Sequence, residues 1–553
     1  MSIISYIRTT GICLKNKRAI RFAMMTVKWL LDVALVVILA AIISVLIKGG
    51  YRLDVGPVQI GLMNFRRLCL FLAIVFSLRY LLGDKFFNDR FSRLSMDIAK
   101  NRFFPIFMFI ILAVVFVAAK VHYHLAFRDP ALDFSIYEYA LFNTLKSAFM
   151  YTPFLHKCFL GEHFSPVLLT ALPFYAILPS AYTLISWQAI LLAATFIPGY
   201  YLAKSVWNDG LCAAVFALGL TTMSAFGTIL QCDLHPEAVY PPLILLTVLA
   251  LEKKRPGMFL FALFALLTVK EDAAVYAVVL SIGAICYRRW WRIGLLGILV
   301  SLAAWFLVIY VLMPACGSEG YGPTNLLISR WGQYGDSYWQ IVVWFFTHPL
   351  QLAVILANPG ILKLLLFFFC APLLSPWVLI IIPQWIMNST SASVLQNEFA
   401  YYTGAPIAAL FAVAAVYGIR NLSRWLSRHK FNGKLVMTVF TLGIMVVNFG
   451  HLNLVKNDPG IGDAYRILSL IPKDASLATS EYVIPHVPPR EEIFMLPEGY
   501  GAEYVFIDTG LGGRFSRVDA MRFVTKLSID ADYMLMDKSP DERFYLFKRV
   551  DSQ

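Results

Sequence analysis

With 553 residues, 59% of them apolar and only 15% charged, the chain is excluded from the class of ordinary soluble domains, which are about a quarter charged and less than half apolar. The net charge of +13 does not point to nucleic acid, because the basic residues sit in short blocks between apolar runs, the pattern of cytoplasmic loops. The eight cysteines are scattered, include no CxxC pair, and indicate neither a disulfide framework nor a zinc site.

In chain order, a basic block (Lys15, Lys17, Arg18, Arg21) precedes the first apolar run without a small-residue cleavage site, which reads as a retained anchor. Apolar runs follow at Val33–Ile47, Leu68–Leu82, Phe103–Ala119, Ala181–Ala203, Leu211–Leu230 and Ala238–Leu251. Further runs lie at Gly257–Val269, Ala273–Cys286, Ile293–Met313, Ile361–Met387, Ala405–Gly418 and Leu435–Phe449. A crossing helix needs about 20 residues, so the shorter runs must recruit polar flanks, and roughly 11 to 13 spans are expected. Basic blocks at Lys253–Arg255, at Arg288, Arg289 and Arg292, and from Arg420 to Lys430 mark the inner side. The outer side then receives Lys120–Pro166, Gln231–Glu237, Lys270–Asp272, Pro314–Gln340, Asn388–Thr403 and everything after Gly450. The run Val167–Leu178 is too short to span and is expected along the outer interface or as a re-entrant piece. From His451 charges return, and short β-rich stretches (Ser476–Thr479, Tyr504–Asp508, Tyr533–Asp537, Phe544–Lys548) alternate with helical patterns (Asp463–Ile471, Arg517–Leu527), which predicts a small α/β domain. The expected fold is therefore an all-α polytopic membrane protein with a small C-terminal α/β soluble domain. Its divisions are an N-terminal membrane extension (1–102), a transmembrane core (103–450) and an outer domain (451–553).

Ionisable residues near a bilayer are costly and mark function by default, and here they gather on the outer side. Asp133 and Glu138 lie in LDFSIYEYALFNT, and Glu162 and His163 in GEHFSP. Asp233, His235 and Glu237 fall in CDLHPEA, Lys270, Glu271 and Asp272 in VKEDAA, and Arg330 in SRWGQYG. Each has a bland alternative. Asp133 also suits a helix N-cap, with Phe134, Ile136, Leu141 and Phe142 forming the apolar side of an amphipathic outer helix. DLHPEA also suits a loop cap, KED a tight turn, His163 before Ser-Pro a helix start, and Arg330 a solvated loop. Together they suit a different chemistry: a carboxylate as general base on a hydroxyl, two or three carboxylates (Asp133 and Asp233 first) around a divalent cation such as Mg or Mn, and an arginine on phosphate. The substrate so implied is a lipid-linked phosphate with its tail between helices.

At LDFSIYEYALFNT, GEHFSPVLLTALPFYAILPS, CDLHPEAVYPPLILL and LLTVKEDAA the chain resembles the bacterial domain-of-unknown-function family 2079 of predicted polytopic membrane proteins. SRWGQYG, PLLSPWVLIIIPQWIMN and the tail IPKDASLATSEYVIPHVPPREEIFMLP extend the likeness, from about Asp133 to the C-terminus. Where that pattern has a His-Tyr pair before a late span, this chain has Tyr401-Tyr402. The first two spans precede the match as an N-terminal addition. The architecture resembles the membrane-integral GT-C glycosyltransferases, which use polyprenyl-phosphate-linked sugars and an acidic residue in the first large outer loop; Asp133 holds that position. The resemblance implies a glycosyltransferase of the bacterial cytoplasmic membrane, with its active site and C-terminal domain outside. The resemblance carries over only Asp133; the outer-face clustering adds His163, Asp233 and His235 to it as expected catalytic residues, with Glu138, Glu237, Lys270, Glu271, Asp272 and Arg330 expected to bind substrate. Two rivals are a transporter or lipid flippase, with ionisable groups near mid-membrane, and a non-catalytic receptor or scaffold acting through the tail.

Overall fold

The computed structural model describes residues 14–48, 51–55, 58–62, 85–127, 132–317, 329–399, 401–448, 460–510 and 516–550, with scattered positions between 68 and 82. The expected run Leu68–Leu82 and the start of the tail at His451 lie largely outside them. The protein is a mostly helical, polytopic membrane protein with a small C-terminal sheet.

Among the described residues, four helices are long and apolar enough to cross a bilayer: Phe104–Leu125, Ala181–Trp207, Trp291–Ala315 and Tyr402–Arg428. Two bent pairs, one of them Gly210–Thr221 with Ser224–Gln231, bring the number to six, and shorter apolar helices occupy Pro256–Leu267, Ala273–Arg288 and Gly433–Asn448. The expected 11 to 13 spans are thus not all continuous helices of crossing length. The expected span Ile361–Met387 is a clear departure. It is divided into a helix (Pro359–Phe367), two 3-10 turns (Ala371–Leu374, Pro376–Ile381) and a second helix (Ile382–Thr390). Pro372, Pro376 and Pro383 each start a new piece because proline lacks the amide proton an ongoing helix needs. The run Val167–Leu178 likewise does not cross: it forms a 3-10 turn, Pro166–Thr170, and the six-residue helix Leu172–Ile177.

Burial separates central from peripheral helices. In Tyr402–Arg428, 89% of the apolar window is buried inside the protein, against 28% in Phe104–Leu125 and 22% in Trp291–Ala315. The peripheral helix exposes Leu295, Leu299, Leu302 and Phe306 along one stripe, a face that only hydrocarbon solvates without penalty. The central helix is rich in alanine, and its Gly418 is required by a close approach: a Cβ there would stand 1.9 Å from the Ala371 carbonyl oxygen.

The helix Leu132–Leu145 is not amphipathic as expected. Phe134 to Leu141 are all buried, because the membrane core covers one side and the C-terminal domain the other. The preceding outer segment also begins later than Lys120, which is still inside the helix Phe104–Leu125 and fully buried.

The tail forms a five-stranded sheet of β1 (Leu477–Thr479), β2 (Ile493–Met495), β3 (Tyr504–Asp508), β4 (Tyr533–Lys538) and β5 (Phe544–Arg549). The order is β2-β1-β3-β5-β4, parallel on the β2-β1-β3 side and antiparallel for β3-β5 and β5-β4. Four strands match the expected stretches; β2 was not among them. The helices Ile461–Leu468 and Arg517–Ile529 match the expected ones within a few residues. Strand periodicity assigns the two faces. Tyr504, Phe506, Phe544 and Leu546 pack with Ala126, Phe127 and Tyr139 of the core, while Val505, Ile507, Tyr545 and Phe547 pack under Ala520, Val524 and Leu527 of the outer helix. His486 completes the docking, stacked on Phe127 at 3.7 Å and on His124 at 4.1 Å between ring centroids. The Arg490 amide donates to the Tyr139 hydroxyl at 3.2 Å, and Lys146 pairs with Glu491 at 2.5 Å.

Candidate functional site

Three short segments at helix ends converge. Asp133 lies in the first turn of Leu132–Leu145. The segment Cys232–His235 follows the helix Ser224–Gln231, and Glu237 lies in the 3-10 turn Pro236–Val239. Lys270, Glu271 and Asp272 sit between the helices Pro256–Leu267 and Ala273–Arg288. Two polar side chains inside apolar helices hold the second segment in place. Lys120 donates to the Cys232 carbonyl, and Gln188 Nε2 donates to the carbonyls of Ile229 at 3.1 Å and Asp233 at 3.2 Å. Neither was singled out from the sequence, although a glutamine in the middle of an apolar run is itself a signal.

A chain of charges runs through the site. Asp233 Oδ1 lies 2.6 Å from His235 Nε2, Glu237 Oε2 3.7 Å from His235 Nδ1, and Lys270 Nζ 2.7 Å from Glu237 Oε1. Asp133, Asp233 and His235 each bring one ligand-type atom within 4.8 Å of the others. In parallel, His163 Nδ1 lies 2.9 Å from Glu271 Oε1, and the Phe164 amide donates to Glu271 Oε2 at 3.0 Å. The Tyr240 hydroxyl donates to Asp272. These links explain the proton affinities. Burial opposes the charge of His235, but the adjacent Asp233 carboxylate outweighs it and raises the imidazole to about 9. Burial opposes charge on Glu237 as well, yet Lys270 and His235 hold its carboxyl well below the usual range. Glu271 is held at about 2 against burial by His163 and Lys270. Burial, with the charge of Asp233 behind it, raises Asp133, and burial raises Asp272 to about 6.

A cavity of about 220 Å³ opens beside this chain, lined by His163, Glu237, Lys270, Glu271, Asp272 and Arg330. Six of the residues expected from sequence thus share one space. Asp133, Asp233 and His235 are not in its wall; Tyr402, which is, stacks on His235 with centroids 3.7 Å apart and planes 21° from parallel. Tyr402 belongs to the Tyr401-Tyr402 pair singled out in the sequence. Glu138 is elsewhere. It is buried, accepts from the Tyr175 hydroxyl at 3.3 Å, and is raised by burial to about 8.

The opposite wall is polar, with Arg330 its one charge. Gln384 Nε2 donates to Asn388 Oδ1 at 2.7 Å, and Arg330 Nη1 to Gln396 Oε1 at 2.8 Å. Gln384 Oε1 is buried with no hydrogen-bond partner among the described residues. A second, apolar cavity of about 530 Å³ lies between the same two walls. Its lining includes Val279, Ile282, Gly283 and Cys286 on one side and Trp377, Ile380 and Pro383 on the other. Asp272, Val275, Tyr276, Val279, Ile282, Gly283 and Cys286 recur at three- and four-residue intervals, so one face of Ala273–Arg288 lines both cavities over about 22 Å.

A family model described as a predicted membrane protein, DUF2079, matches residues 121–510. None of the curated proteins matches the chain. Among solved structures, ArnT from Cupriavidus metallidurans bound to undecaprenyl phosphate is 13% identical, with a TM-score of 0.48, covering 82% of this chain and 99% of that one. The apo state of the same protein gives 12% identity and a TM-score of 0.45, covering 79% and 97%.

Proposed function

For a chain that belongs to the DUF2079 family of predicted membrane proteins, we propose a membrane glycosyltransferase that takes a sugar from a polyprenyl-phosphate donor at the outer face of the cytoplasmic membrane. The observation that carries this reading is the alignment of a charged cavity with an apolar one along a single helix face. A long isoprenoid chain suits the apolar space, which water fills only at a cost. Its phosphate suits Lys270 and Arg330, the cations of the charged cavity. Sugar hydroxyls suit the opposite wall, where Gln384 Oε1 lacks a partner.

The transfer needs an acceptor hydroxyl to lose a proton as its oxygen bonds to the anomeric carbon, while the bond from that carbon to the phosphate oxygen breaks. Asp133 is the base in this reading. Burial makes its carboxylate a stronger proton acceptor than one in water, and the proton is carried off on that carboxyl. Asp233 orients His235, whose positive charge balances the carboxylates around it. His163, fixed by Glu271, orients the donor at the mouth of the cavity. The oxygens of Asp133 and Asp233, with a His235 nitrogen once deprotonated, fit a divalent cation in ligand type and mutual reach. Bound there, such an ion would neutralise the departing phosphate.

The test is transfer by the purified protein in lipid nanodiscs, assayed with polyprenyl-phosphate sugars. Asp133→Asn should abolish it while the protein still inserts and folds. Full activity in that variant would sink the assignment, and movement of intact lipid across the membrane without loss of its sugar would favour a flippase.

A further inference from the structure

Beside the charged cavity, next to its wall residues His163 and Met313, two segments distant in sequence meet backbone to backbone. A Cβ on Gly161 would stand 2.6 Å from the Cys316 carbonyl oxygen and 3.4 Å from the Cys316 Cβ, so glycine alone permits the approach. A Cβ on Gly317 would stand 3.6 Å from that of Lys157. Cys158 lies on the two-residue strand Lys157–Cys158, paired with Tyr151–Thr152. Cys316 caps the end of the helical stretch that runs to Ala315. These two close approaches, at Lys157 and Gly161 on one stretch of chain and at Cys316 and Gly317 on the other, bracket Cys158 and set it beside Cys316, and both thiols are half-buried and free.

We propose that Cys158 and Cys316 are a disulfide-forming pair, oxidised in the cell to a covalent staple beside the site. The native bond rests on the outward placement of that site in the proposed function, because disulfides persist in oxidising compartments and not in the cytosol. The oxidant is a protein disulfide of the extracytoplasmic space. One cysteine loses its proton and its thiolate attacks that disulfide, releasing one oxidant thiolate and leaving a mixed disulfide. The second cysteine, deprotonated in turn, attacks the first cysteine's sulfur and releases the other oxidant thiolate. The two protons and two electrons end on the oxidant, which leaves as a dithiol.

The staple would act on two segments of the cavity wall. From Cys158 the chain runs through Glu162, paired with Lys157 at 2.8 Å, to His163 on Glu271. Cys316 lies three residues beyond Met313, which lines the cavity. Closing a loop of this length removes much of the freedom of the unfolded chain, and in the folded protein it limits how far the segments carrying His163 and Met313 can part.

The test uses the full chain in cell membranes, quenched with acid and alkylated before reduction. Labelling with a maleimide of known mass after reduction should add two labels, a gain lost in both Cys158→Ser and Cys316→Ser, and mass spectrometry should find the peptide joining the two residues. The melting temperature of the purified protein should fall on reduction, whereas Cys158→Ser should melt at one lower temperature with or without reductant. Free thiols at both positions in the quenched membranes would overturn the native bond. Sidedness is read separately, with a membrane-impermeant maleimide on intact cells carrying Cys158→Ser, where Cys316 should be labelled. If it is not, and oxidised glutathione still links the purified pair selectively, the outward placement fails and takes the native bond with it. Failure of the purified pair to link overturns the pairing itself.

Discussion

The two ends of the helix bundle both bury carboxylates, but they treat them differently. At one end, Asp209 accepts from Ser95 Oγ at 2.7 Å and from the Cys212 amide at 2.9 Å, with Lys434 3.5 Å away. Glu252 accepts from the hydroxyls of Tyr287 and Tyr417, each at 2.8 Å, beside Arg288 at 3.4 Å. These groups cap a helix and tie helices together. At the other end, Asp133, Asp233, Glu237, Glu271 and Asp272 crowd around His163, His235 and Lys270, and several of them face a cavity. Buried charge that is fully occupied by the protein serves the fold; buried charge in excess, beside empty space, is available to a ligand.

Substitutions at the two ends should separate these roles. The largest effect is expected from Asp233→Asn, which removes the partner of His235 and one carboxylate of the triad. Transfer per folded molecule should fall by about 100-fold or more; a loss of transfer that merely tracks unfolding would erase the contrast. Next is Gly283→Leu, which fills the apolar cavity against Trp377, whose ring already stands 3.0 Å from where a Cβ would be. The KM for a long-chain donor should rise about tenfold while a short-chain analogue is less affected, since displaced lipid burial is worth about 0.8 kcal/mol per CH₂. Asp209→Ala at the opposite end should cost about 1–2 kcal/mol of stability through the lost cap, measured by denaturation, and leave turnover per folded molecule unchanged. The smallest effect is on pH dependence. His235 binds its proton more tightly folded than unfolded, so its contribution is complete below about 6.5 and is lost as pH rises through about 9. The melting temperature should therefore decline over that window, and His235→Asn should flatten the decline.

Much of this arrangement was legible along the chain. The apolar runs, four of the five tail strands and the polar motifs all carry local signals of period, length and composition, and six of the motif residues do line one cavity. Gln188, Gln384 and Tyr240 were missed because each is a single polar group in an apolar run, and its importance depends on the partner across the bundle. The helix Leu132–Leu145 was misread as amphipathic because its covering on the second side comes from strands more than three hundred residues later. The Cys158–Cys316 pair was invisible for the same reason.

The sequence by itself determined that the chain lives in a bilayer, that a small sheet domain ends it, and which ionisable residues gather near helix ends, since hydrophobic burial and backbone period act within a segment. Only the tertiary structure decided that His163 meets Glu271, that Asp233, His235, Glu237 and Lys270 form one chain of charge, and that charged and apolar cavities share a helix face. Those outcomes depend on which helices pack together, and packing is a property of pairs of surfaces that no single segment carries.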